Sequence, residues 1–190
     1  YGRKPLLVIS AVLFTVSAIS TGIFNDFTMF NIARFIGGIG IGVASALSPM
    51  YIAEISPANI RGKLVSLNQM TIVLGILGAQ IANWLIAEEM PAGVTDEEIL
   101  ASWNGQMGWR WMFWAETVPA AMFLLLAFFI PESPRWQMMK QREVEAKKTL
   151  CNIGGEAYAL EEMASIRKST DAEANIEKSG LRTLFTRKYA

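Results

Sequence analysis

Two ionisable side chains stand inside long apolar runs of this chain, Arg34 and Glu116. On insertion scales such a residue near mid-bilayer costs roughly 2.5–3.5 kcal/mol, so each needs a partner or a task. Counted from the same face, Arg34 lies about six residues into its run and Glu116 about seven; at about 1.5 Å per residue both sit roughly 10 Å deep. Equal depth permits an ion pair between two helices. Two chemistries are open to it. One is a structural clasp; the other is a proton relay or gate, with Glu116 as proton carrier and Arg34 favouring its ionised form. Gln69 lies about a turn and a half into another run. Its amide offers donors and an acceptor, which suit hydroxyl groups better than ions, or an interhelical hydrogen bond. Nothing separates Asn68, Gln80 and Asn83 from ordinary packing.

Other chemistry is excluded. His is absent and Cys151 is the single cysteine, so His-based catalysis, His metal ligation and an internal disulfide are out of reach of these residues. Zero net charge leaves no basic footprint for nucleic acid. No nucleophile–base pair or metal cluster is visible, so the reading is not an enzyme and needs no cofactor or metal. The run Gly37-Gly38-Ile39-Gly40-Ile41-Gly42 lacks the strand and helix that frame a nucleotide loop. Gly38, Gly42 and Ala46 recur every four residues, a pattern that lets another helix approach closely.

The elements that must carry these residues are four apolar stretches at about 5–23, 29–52, 64–87 and 109–130. Each reaches the roughly 20 residues that cross a bilayer as a helix. Pro49 and Pro119 fall inside two of them and can kink them. Segments 22–28 and 88–108 hold no Lys or Arg, yet carry Asp26, Glu88, Glu89, Asp96, Glu97 and Glu98. Arg3, Lys4, Arg61, Lys63, Arg135 and the basic tail lie on the other side, which the positive-inside rule makes cytoplasmic. The run from Trp109 stops at Pro131-Glu132-Ser133-Pro134-Arg135-Trp136, a charged elbow between two prolines. Residues 1–130 therefore read as a membrane bundle and 131–190 as a cytoplasmic segment. Short helices are expected there near 140–152, 157–168 and 173–188, broken at Gly154-Gly155 and Gly180. The chain opens at Tyr1 without a charged leader or cleavage site, and reads as an internal fragment.

Several ordered motifs, covering the chain from Tyr1 to about Ile153, resemble the sugar porter family of the major facilitator superfamily. Gly2-Arg3-Lys4 is similar to the end of the family's loop signature between its second and third helices. Arg34-Phe-Ile-Gly-Gly, with Ser48-Pro-Met-Tyr-Ile-Ala-Glu54, is similar to the fourth helix, and Ile60-Arg61-Gly62-Lys63 with Asn68-Gln69 to the start of the fifth. Gly108-Trp109-Arg110-Trp111-Met112-Phe113 and the Pro131–Trp136 elbow resemble the sixth and its end. Within the family, Ala46-Leu-Ser-Pro-Met-Tyr-Ile-Ala-Glu and Arg61-Gly-Lys-Leu-Val-Ser resemble proton-coupled symporters of the D-xylose type.

The resemblance implies an all-α membrane protein of the major facilitator fold, here helices three to six plus intracellular helices, in the cytoplasmic (inner) membrane of a bacterium. It implies secondary active transport of a monosaccharide by proton symport with alternating access. A passive facilitator or a transporter-like sugar sensor remains the alternative. Gln69 then matches a sugar-binding Gln, while Arg34 and Glu116 match residues around a proton-accepting Asp on the first helix, upstream of Tyr1. Arg3, Glu54, Arg61, Glu132 and Arg135 match a charge network that closes the inner gate. Ile76 stands where xylose symporters carry a polar residue, which keeps other pentoses and hexoses open. The partners so implied are a monosaccharide, protons and the lipid bilayer.

Overall fold

The computed structural model of the protein describes residues 2–91 and 93–177, with side chains through residue 170. Its described residues are helical, with no strand. They divide into two compact units, one spanning Tyr1–Ile130 and one beginning at Pro131.

In the first unit, α1 (Arg3–Ile23), α2 (Phe27–Ile55) and α3 (Arg61–Ile86) are each long and apolar enough to cross a membrane. A fourth such stretch runs from Asn104 to Phe129. Between α3 and that stretch lies a short helix, α4 (Asp96–Ala101). The fourth stretch is itself divided into a π-helical turn (Asn104–Gly108), α5 (Trp109–Ala115) and α6 (Thr117–Phe129).

α1 is the packed centre. Its buried face is Leu7, Ser10, Ala11, Ser17, Ala18, Thr21 and Gly22, small residues at helical spacing. The hydroxyls of Ser10, Thr15 and Thr21 donate to the carbonyls four residues back, Leu6, Ala11 and Ser17, at 2.7–2.9 Å. That leaves the polar side chains satisfied without water. Ser17 instead reaches across and donates to the Ala33 carbonyl of α2 at 2.8 Å.

The close approach of α2 uses a different face from the one its spacing suggests. Ala33, Gly37 and Gly40 are the buried residues. A Cβ at Gly37 would overlap the Ser17 hydroxyl, and one at Gly40 would stand 3.2 Å from Leu13 Cβ. Gly38 and Gly42, the expected contact stripe, have nothing within 4 Å of a Cβ position among the described residues. Each residue turns a helix by about 100°, so a one-residue shift selects another neighbour. Several interleaved glycines leave that choice to the partner's surface.

The two prolines within the apolar stretches behave differently. α2 runs unbroken through Pro49, whereas the fourth stretch is interrupted at Glu116. Pro119 has no N–H for the Ala115 carbonyl, and the Glu116 amide tightens onto the Phe113 carbonyl at 3.1 Å. The sequence predicts one continuous span at 109–130 and a loop at 88–108. In place of the loop stand α4 and the π-helical turn. Thr95 and Glu98 form a reciprocal capping box at the start of α4. The Asn104 amide both accepts from Glu88 N–H (2.9 Å) and donates to its carbonyl (2.7 Å).

The second unit comprises α7 (Pro134–Met139), capped by the Ser133 hydroxyl, and α8 (Glu143–Glu177). α8 bends at Gly155, whose φ of +83° suits only glycine. Its arms, 143–154 and 156–177, enclose Leu150, Ala159 and Ile166, with Met138, Cys151, Tyr158 and Met163 around them. Glu143 and Arg167 pair across the arms at 2.6 Å. The expected break at Gly154-Gly155 is present; no break separates 168 from 173, and α7 was not foreseen. Gly180 and residues 178–188 of the third expected helix lie outside the described residues.

Candidate functional site

Arg34 on α2 and Glu116 at the α5–α6 joint form an ion pair, Nη1 to Oε2, at 3.1 Å. The Arg34 guanidinium also lies 5.0 Å from the centre of the Phe113 ring, a cation–π contact on the apolar side of the pair. Phe30 packs edge-on against both Phe113 and Trp109, with centroids 5.5 and 6.1 Å apart. An aromatic wall therefore flanks the pair, and its side chains remain 41% and 49% exposed.

That exposure is to a cavity of about 690 Å³ bounded by α1, α2, α3 and α6. Arg34, Glu116 and Ser17 supply its polar lining; Ile72, Ile76 and Phe123 are among the apolar walls. A second cavity of about 440 Å³ lies between α3 and the α5–α6 stretch, and Asn83 and Met112 border it. Glu116, Gly75, Ala79 and Pro119 line both. The carboxylate thus stands where two cavities meet in an otherwise apolar bundle.

Gln69 is not brought to this pair. Its side chain is exposed on α3, makes no hydrogen bond among the described residues and lines neither cavity. An interhelical hydrogen bond, its structural alternative, is likewise not formed among the described residues. Of the charged residues assigned to an inner network, Arg3 and Glu54 join α1 to α2. Arg3 Nη2 donates to Glu54 Oε1 at 2.8 Å and its Nε to both oxygens at 3.2 Å, a forked contact on a largely buried carboxylate. Arg61 Nη2 donates to the Ser56 carbonyl at 3.3 Å. Glu132 and Arg135 belong to the second unit, where the Glu132 carboxylate accepts from Ser133 N–H at 2.9 Å.

Three residues that tie α1 to its neighbours are not singled out by the sequence: Ser17, Arg110 and Trp114. Arg110 Nη1 donates to the Gly22 and Ile23 carbonyls at 2.8 and 3.3 Å, and Nη2 to Asn25 Oδ1. Trp114 Nε1 donates to the Ile19 carbonyl at 3.3 Å. The signal available was an Arg and a Trp four residues apart on one helix face, near the end of a span whose last carbonyls need donors.

Among the described residues away from the membrane segments, Glu98, Lys147 and Glu156 have shifted titration. The Thr95 N–H, and after it the Thr95 hydroxyl, hold the Glu98 carboxyl below its usual range. The hydrogen bond from Lys147 lowers Glu156, and the same bond raises Lys147.

A family model described as "Sugar (and other) transporter" matches residues 1–189. The D-xylose-proton symporter of Escherichia coli (strain K12) is 41% identical over 189 residues, 90% of this chain and 37% of that protein. The glucose facilitated diffusion protein of Zymomonas mobilis is 34% identical over 189 residues, 95% of this chain and 38% of its own length. Among solved structures, the major facilitator superfamily proton:xylose symporter XylE bound to 6-bromo-6-deoxy-D-glucose superposes with a TM-score of 0.81 at 39% identity, over 96% of this chain and 40% of that one. The chain thus spans well under half the length of the proteins it matches. A bundle of apolar helices, an intramembrane Arg–Glu pair and these matches lead to one assignment: the chain belongs to the sugar transporter family, within the major facilitator superfamily of membrane carriers.

Proposed function

We propose that the protein containing this chain carries a monosaccharide, a pentose or hexose of the D-xylose type, into bacteria across the cytoplasmic membrane by proton symport. The observation that carries this reading is the Arg34–Glu116 pair, held at 3.1 Å beside a cavity of about 690 Å³. Charges placed in an apolar bundle are costly to retain without a task. The cavity gives room for a third group, which the family resemblance supplies as a carboxylate on a helix outside this chain. Protonation of that carboxylate releases its hold on Arg34, and Glu116 then keeps Arg34 in place. Sugar sits between two six-helix halves, whose rocking exposes it first to one side and then to the other. Gln69 contributes a hydrogen bond to a sugar hydroxyl from α3. Arg3, Glu54, Arg61, Glu132 and Arg135 close the cytoplasmic side. Substrate drives the change only because it binds the two states unequally.

The test is external pH in lightly buffered, de-energised cells expressing the full-length protein, with xylose, arabinose, galactose and glucose added in turn. Alkalinisation with one of them is expected. Radiolabelled sugar that equilibrates without any pH change would make the protein a facilitator, a reading favoured by the resemblance to the Zymomonas facilitated diffusion protein. In that case Arg34 and Glu116 are structural partners.

A further inference from the structure

Glu116 lies at the interruption as the N-cap of α6, its carbonyl accepting from Ala120 N–H at 3.2 Å. Pro119 removes the donor that would tie the next turn to Ala115. On its other side Glu116 is tied to α5, where its own N–H donates to the Phe113 carbonyl at 3.1 Å. α5 in turn is bonded to the outer end of α1. Trp114 Nε1 donates to the Ile19 carbonyl and Arg110 to the Gly22 and Ile23 carbonyls. Gly22 lets the indole lie flat on the helix, since a Cβ there would overlap it. The other member of the pair is referenced to the same helix, because Ser17 donates to the carbonyl of Ala33, the residue before Arg34.

We infer that Trp114 and Arg110 are positioning residues for the Arg34–Glu116 pair, with α1 as the common template. This rests on the proposed part of the pair in coupling. Both side chains act through backbone carbonyls of α1, not through the carboxylate itself. Loosening either one leaves the charges present but lets their separation vary.

The measurement is a mutant cycle on the full-length protein in nanodiscs, read as thermal unfolding midpoints. The effect of E116Q is compared with and without R34Q, first in the parent and then in W114F and in R110Q. W114F keeps an aromatic ring and loses the N–H donor together with the pyrrole part of the indole. Expected is a coupling between Arg34 and Glu116 in the parent that falls by about half or more in both backgrounds. Equal lowering of every midpoint with the coupling intact assigns the two residues to general stability and overturns the inference, as does a parent without coupling. Failure of the transport reading is seen separately. If E116Q retains sugar-dependent alkalinisation the pair has no part in coupling protons, whatever the cycle reports.

Discussion

α1 and α3 are both long and apolar enough to cross a membrane, yet they sit in the fold in opposite ways. α1 buries seven residues and anchors α2, α5 and α6. α3 buries none, and large side chains such as Trp84, Leu85, Ile76 and Val73 are more than half exposed along it. The difference is one of residue size and polarity. In lipid, apolar surface gives helices no reason to associate, while small residues and hydroxyls that bond across a contact do. α1 has Ser, Ala, Thr and Gly on one face. α3 also has a stripe of small residues, Gly75, Ala79 and Ala82, but it lines the two cavities.

This contrast is broken first at its tightest point. Gly37→Leu forces a branched side chain into Ser17 and should destabilise the bundle by about 3 kcal/mol or more. Gly42→Leu, which meets nothing within 4 Å, should change this chain by less than about 0.5 kcal/mol. Unfolding midpoints of the two variants in residues 1–190 decide the matter. Equal losses would mean that the α1–α2 contact is misassigned.

The contrast is sharpened next at the charged pair. Glu116→Gln in the full-length protein should abolish active accumulation, a loss of at least about tenfold, while exchange down a gradient continues. Accumulation with the parent's pH dependence would remove Glu116 from coupling. On α3 the effect expected is on ligand and not on fold. Gln69→Ala should weaken sugar binding by about fivefold, the worth of roughly 1 kcal/mol for one hydrogen bond. A binding titration with parent affinity takes Gln69 out of the site.

The smallest effect concerns α4, a short helix that opens on its capping box. Glu98 has a depressed carboxyl, so its contribution is present above the ordinary value of 4.5 and is lost as pH falls through the lowered folded value. Amide exchange in 96–101 should quicken below that point and also, at neutral pH, in Thr95→Ala. Protection unchanged in both would show that the capping box does not hold α4.

Much of this was legible in the sequence because membranes impose a length and forbid unpaired charge. The four spans fall within a few residues of their expected limits, and the ion pair follows from two charges at one depth. Which face of α2 meets α1 was not legible, because Gly37, Gly38, Gly40 and Gly42 satisfy the same spacing rule in more than one rotation. The joint at Glu116 was hidden for a related reason. A proline licenses a break without requiring one, as Pro49 shows, and only the neighbours of Pro119 settle it. α4 was missed although Thr95-Asp-Glu-Glu98 is a capping signature, since a span count treats everything between runs as loop. Gln69 could be ranked by its amide but not by its direction, because where a side chain points depends on helix rotation.

The separation of Arg34 and Glu116 also has an electrical consequence. A membrane potential works on charge in proportion to the distance moved along the field, about 2.3 kcal/mol for one charge crossing fully at 100 mV. Two opposite charges 3.1 Å apart span at most about a tenth of a hydrocarbon layer roughly 30 Å thick. The field therefore changes the energy of the closed pair by no more than about 0.2 kcal/mol per 100 mV. Voltage has almost no grip on the clasp itself, so under the proposed symport any dependence on membrane potential falls to charge that moves farther than the pair's own separation.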